Sequence, residues 1–132
     1  MKTENIVTII VFLIIILVLL TGIIAPKFFG STTHTKWDVA KPKMKPVESA
    51  INTFLLNTGR YPKTLDELII CPPALNGWAG PYLKASQLYD VWDRPYIYDP
   101  NGKHNPDSYD IISYGADGLP GGEGYNSDIY NH

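Results

Sequence analysis

From Ile6 to Pro26 no residue is charged, and the run is nearly all Ile, Val and Leu. About twenty such residues span a bilayer core, so residues 1–29 are expected to form a transmembrane helix. Pro26 is expected to end or kink it. A cleaved secretory signal needs a shorter apolar core and a small-x-small site. Ile23 stands two residues before Ala25, so the segment is expected to stay attached and the mature chain to keep its first residues, apart from Met1. Lys2 is offset by Glu4, while Lys27 and Lys36 lie on the other side, so the positive-inside rule sets no direction.

The pattern then changes. Residues 30–45 are polar at first and poor in helix formers, and read as a linker or a kinked helix. From Val47 the helical period appears: Val47, Ala50, Ile51, Phe54 and Leu55 share one face. Pro42 and Pro46 would each clash one turn back in a helix interior, so a regular helix is expected only from Pro46 to Thr58, with a break before it. Gly59 suits the position after its end, and Pro62 prevents continuation. Thr64-Leu-Asp-Glu67 has the capping-box pattern for a short helix from Leu65 to Ile70. Pro95–Tyr98 and Tyr109–Tyr114 read as two strands around the turn signal Pro100-Asn101-Gly102, and should pair antiparallel. A sheet that small is marginal alone, so the amphipathic helix should pack across it. Residues 46–132 are thus expected to be one α+β domain.

Composition narrows the function. A net charge of −2 over 132 residues offers nothing to nucleic acid. The single cysteine, Cys71, permits no internal disulfide; before Pro72 and Pro73 it reads as a small apolar filler. His34 reads as a solvated side chain, with no second His or Cys at ligand spacing. Ser113, His104 and Asp110 are types found in hydrolytic triads, but nothing in their spacing orders them, and no enzyme is expected.

The stretch from Ser113 to Ile129, SYGADGLPGGEGYNSDI, holds five glycines and three acids with almost nothing to pack. Glycine loses the most backbone freedom on ordering, and little apolar burial compensates. Something else must order it. Asp117, Glu123, Asn126, Ser127 and Asp128 suggest a hard cation, since calcium takes six to eight oxygens in irregular geometry. The alternative is a solvated turn. The spacing is not that of an EF-hand, because Leu119 and Gly121 stand where that loop needs Asp or Asn.

GRYP at Gly59–Pro62 after a helix carrying Glu48, DVWDRPY at Asp90–Tyr96, and YDIISYGADG followed by GGEG and a late Asp-Ile together resemble the major pseudopilin family of type II secretion systems. The resemblance covers Pro26 to His132. It implies a pilin-like fold, with a single-pass inner-membrane anchor and an extracytoplasmic C-terminal domain. It implies a homo-oligomeric helical filament, with other pseudopilins and secretion-system components as partners. It also implies a calcium ion held by the C-terminal loop: carboxylates from Asp117 and Asp128, Asn126 where the family often has Asp, and main-chain carbonyls of Tyr114 and Leu119. The chain departs from the family's pattern at Ile9, where the family carries glutamate, and at Pro42 and Pro46. Two roles follow: a calcium-stabilised filament subunit, or a membrane-anchored calcium-binding domain that does not assemble.

Overall fold

The structure, a computed structural model, describes residues 2–29 and 32–132, with side chains at 2–18 and 36–132. Two helices are followed by a loop-rich domain with three short strands: α1 (Thr3–Phe29), α2 (Thr32–Thr58), β1 (Ile97–Asp99), β2 (Asp110–Ser113) and β3 (Ile129–Tyr130). The chain divides into two compact units, Met1–His34 and Thr35–His132. The expectations for Gly30, Ser31 and the His34 side chain fall outside the described residues.

The first unit holds α1, which runs through Pro26 to Phe29 and does not end at the proline. A proline removes one backbone bond, but the residues after it keep their own donors, so the helix resumes. Every apolar side chain described on it, from Ile6 to Val18, is exposed. Among residues whose side chains are described, which on α1 end at Val18, no helix is long and apolar enough to cross a membrane. The rest of the apolar run, Leu19 to Pro26, lies beyond them.

In the second unit α2 continues through both Pro42 and Pro46. The expected break is absent, and of the two readings of residues 30–45, linker or kinked helix, the described part is helical from Thr32. The reason is placement. The two prolines lie four apart on the exposed side, so the carbonyls they leave unbonded, of Asp38 and Pro42, can be hydrated. The opposite face is continuous: Ala40, Met44, Val47, Ala50, Ile51 and Phe54 are all buried. Gly59 ends α2 as expected, with φ +77° and its N–H on the Leu55 carbonyl at 2.8 Å.

The sheet has the order β1-β2-β3, antiparallel throughout. The two strands expected from sequence are present, each shorter than expected, and β3 was not anticipated. Ile112 pairs with Ile97 on one side and Tyr130 on the other. Asn131 extends β3 by side chain: its Oδ1 accepts from Ile111 N–H at 2.9 Å while its own N–H donates to the Ile111 carbonyl. Tyr109, Ile111 and Ile129 join the α2 face, Leu65, Leu68, Leu83 and Leu88 in one core.

Much of the irregular chain is held by aromatic side chains with polar tips. The Tyr98 hydroxyl donates to the Pro62 carbonyl at 2.9 Å, and Trp78 Nε1 to the Glu67 carbonyl at 2.8 Å. Tyr109 packs edge-on to Tyr61. Burial, then the charge of Glu48 and the neighbouring Tyr61, push the Tyr109 hydroxyl up to about 12.

Two local expectations are corrected. Leu65–Leu68 is a 3₁₀ turn, and Thr64 makes no side-chain cap. Glu67 Oε2 is taken instead by Lys63 N–H and by Arg60 at 2.9 Å. Cys71 is exposed and fills no part of the core.

The loop between β1 and β2 is closed by a buried carboxylate. Asp110 accepts from His104 N–H at 2.8 Å, Asn105 N–H at 3.1 Å and Asn105 Nδ2 at 2.7 Å. Burial pushes its pKa up, but these donors and the Lys103 main chain outweigh it and hold the carboxyl below its ordinary value. A carboxylate whose pKa is lowered on folding contributes stability above its unfolded pKa, and loses it as pH falls through the lowered one. Asp110→Asn should therefore cost about 1–3 kcal/mol at neutral pH. It should also flatten the fall in melting temperature between about pH 5 and pH 3, as thermal melts across that range would read.

Candidate functional site

The glycine- and acid-rich segment is the connection between β2 and β3, and its two ends are held by the pairing of Ser113 with Ile129. The neck is closed again by Ala116 N–H on the Tyr125 carbonyl at 2.8 Å. Gly115, at φ +65°, lies so close to the return limb that a Cβ there would stand 2.6 Å from the Ser127 carbonyl oxygen. Only glycine permits that approach. On the outside, Tyr125 meets Trp37 of α2 edge-on, ring centroids 6.3 Å apart. The segment is thus held in part by strand pairing, backbone bonds and the Tyr125–Trp37 contact.

Of the expected ligands, Asp117 and Leu119 lie on the outgoing limb, both exposed, and Asp117 Oδ1 accepts from Leu119 N–H at 3.0 Å. Asn126 and Asp128 lie on the return limb. Both Asp128 oxygens accept from Gly121 N–H at 3.0 Å, and Asn126 N–H donates to the Glu123 carbonyl. Tyr114 directly follows β2 and lines a cleft with Asp128, Tyr130, His104 and Asp110. The neck brings the outgoing limb against residues 125–127. Among the described residues no three acidic, His or Cys side chains stand together as a metal-holding group. A cation here would draw on Asp117, Asp128, the Asn126 amide and main-chain carbonyls. All are hard oxygen donors, as calcium prefers.

Three residues outside that set shape the site. Arg94 donates from Nη1 to the Gly115 carbonyl at 2.8 Å and from Nη2 to the Ala116 carbonyl at 3.0 Å. Asp90, 2% exposed, aims it: Asp90 Oδ1 accepts from Arg94 N–H and Trp92 N–H, and Oδ2 from Ser113 Oγ at 2.6 Å. Tyr130 stacks on His104 at 3.7 Å. Burial, then the Asp128 and Asp110 charges, raise its hydroxyl pKa, and a hydrogen bond with Asp128 adds to this. Of the candidate triad residues, His104 Nδ1 lies 3.7 Å from Asp110 Oδ2 and its ring on Tyr130, while Ser113 Oγ donates to Asp90 instead. The only trace of Asp90 and Arg94 in the sequence is DVWDRPY, an acid and a base at turn spacing among aromatics.

Comparison with known proteins bears on what this arrangement is. The family described as type II secretion system (T2SS), protein G matches residues 27–132. The type II secretion system core protein G of Xanthomonas campestris pv. campestris is 36% identical over 120 residues, covering 88% of this chain and 82% of that protein. The same-named protein of Pseudomonas aeruginosa is 32% identical over 125 residues, covering 89% and 86%. The crystal structure of the major pseudopilin from the type 2 secretion system of enterohaemorrhagic Escherichia coli superposes with a TM-score of 0.61 at 26% identity, covering 80% of this chain and 94% of that one.

Closure of the neck yields a direct test. Gly115→Ala places a methyl group against the Ser127 carbonyl at an unfavourable φ, so it should cost about 1–3 kcal/mol. Limited proteolysis should then cut within residues 114–128 at protease levels that leave the parent chain intact there.

Proposed function

The chain belongs to the type II secretion system protein G family, and from that premise we propose that it is a major-pseudopilin subunit, a structural protein whose copies assemble into a helical fibre. The observation that carries this reading is the family match across the whole globular unit. Other pseudopilins and secretion-system components are the expected partners. No catalytic step is assigned to it.

The uncharged run from Ile6 to Pro26 supports an anchor through the inner membrane. In this reading the N-terminus is cytoplasmic and the chain beyond Lys27 extracytoplasmic. Electron microscopy of overexpressing cells should show thin fibres that react with antibody to the chain. Membranes full of the protein without fibres would instead favour an anchored domain that does not assemble, the reading that Ile9 in place of glutamate supports.

Calcium is the ligand we assign to the 114–128 loop. Asp117, Asp128 and Asn126 would hold it, with main-chain oxygens of Tyr114 and Leu119. The bound ion would supply the positive charge that lets the two limbs' carboxylates share one site. Glu123 is left outside the set. The detergent-solubilised chain should melt higher in calcium than in chelator. At a hundredfold excess over Kd the gain is roughly 2.7 kcal/mol, on the order of 10 °C for a domain this small. Asp117→Ala should remove most of the difference, and Glu123→Ala little. Equal melting temperatures at millimolar calcium would rule the ion out.

A further inference from the structure

We infer that Arg94 is a positioning residue that keeps the outgoing limb of the 114–128 loop folded by itself, so that calcium is needed only to hold the return limb. The first half stands on the structure alone; the second rests on the calcium reading above.

Two consecutive carbonyls, of Gly115 and Ala116, converge on one guanidinium. Convergent carbonyls are how a loop surrounds a metal ion, and here a side-chain cation already occupies that position. The limb wraps closely around it: a Cβ on Gly118 would lie 2.7 Å from the Arg94 Cζ and Nε. The planar fork suits this pair of acceptors as a lysine ammonium would not. Arg94 makes no ion pair among the described residues, so the carbonyl dipoles are what its charge meets.

The guanidinium is itself held in place. Arg94 N–H donates to Asp90 Oδ1 at 3.0 Å, and Asp90 N–H donates to the Arg94 carbonyl at 2.8 Å. Ser113 ties the same carboxylate to β2, and Lys43 Nζ reaches the Asp90 carbonyl from α2. Among the described residues no arginine or lysine donates to the carbonyls of the return limb. Its contacts include backbone bonds, Ser127 Oγ on the Gly124 carbonyl, the Asp128–Gly121 pair, the Asp128–Tyr130 bond and the Tyr125–Trp37 edge.

Limited proteolysis with a broad-specificity protease, cleavage sites read by mass spectrometry, on the full-length chain in detergent with calcium and with chelator, tests this. In the parent chain, residues 115–119 should stay protected in both conditions, while 121–128 lose protection in chelator. In Arg94→Gln, the outgoing limb should lose protection on the order of tenfold or more in chelator and regain it in calcium. Arg94→Lys should restore only part of it. Gly118→Ala leaves the charge but displaces the guanidinium, and should reproduce the Arg94→Gln pattern should that variant fold poorly. Loss of protection in both limbs of the parent chain on chelation would overturn the inference. So would a uniform loss across the whole domain in Arg94→Gln, insensitive to calcium, which is what a merely structural arginine predicts. Should calcium change neither limb in any variant while Arg94→Gln still loosens 115–119, the clamp stands and the calcium reading is the one that fails.

Discussion

Asp90 is the constraint on which the functional end of the domain depends. A carboxylate 2% exposed is costly to bury unless its oxygens are bonded. Here Trp92 N–H, Arg94 N–H and Ser113 Oγ meet them, and the same residue's carbonyl takes Lys43 from α2. One residue therefore ties together a tight turn and the central strand through its side chain, and the long helix through its main chain. None of these has much secondary structure to join it to the others: β1, β2 and β3 are three, four and two residues long. The turn in turn sets the direction of Arg94, and Arg94 sets the loop.

The same device recurs across the domain. Asp110, Asn131, Glu67, Tyr98 and Trp78 each satisfy a main-chain group that a longer strand or helix would have satisfied. Buried backbone groups must be paired somewhere. A chain with so little sheet meets that demand through side chains, most of them partly or fully buried. Tyr82, Tyr98, Tyr109 and Trp78 serve both ends: their rings pack in or against the core, and their polar tips bond main-chain groups.

What the sequence revealed follows the same division. The apolar face of α2 and the two longer strands were legible because each rests on a repeated pattern. Gly59 was legible because one residue type suits one backbone conformation. The prolines misled because Pro42 and Pro46, though inside the helix, share the solvent side, where the carbonyls they free can be hydrated. β3 was invisible because two residues carry no period, and half its role is played by the Asn131 side chain. The acids and glycines of the loop could be picked out by composition. Arg94 could not, because its partners are carbonyls twenty-odd residues away and no residue type marks a carbonyl as an acceptor.

The two units pose opposite packing problems. The globular unit buries its own apolar face: Met44, Val47, Ile51 and Phe54 are fully enclosed within one chain. α1 does not, since Phe12, Leu13, Leu17 and Val18 are each 60% or more exposed. At roughly 25 cal/mol per Å² of apolar surface, a helix of that character is strongly driven to leave water. Lipid can cover it, and so can the same helix of neighbouring copies; passing from the first to the second would exchange one apolar cover for another. Such an exchange involves little hydrophobic gain or loss, because hydrocarbon and packed Leu and Ile side chains are similarly apolar. Direction and strength of assembly must then come from polar groups outside the apolar run.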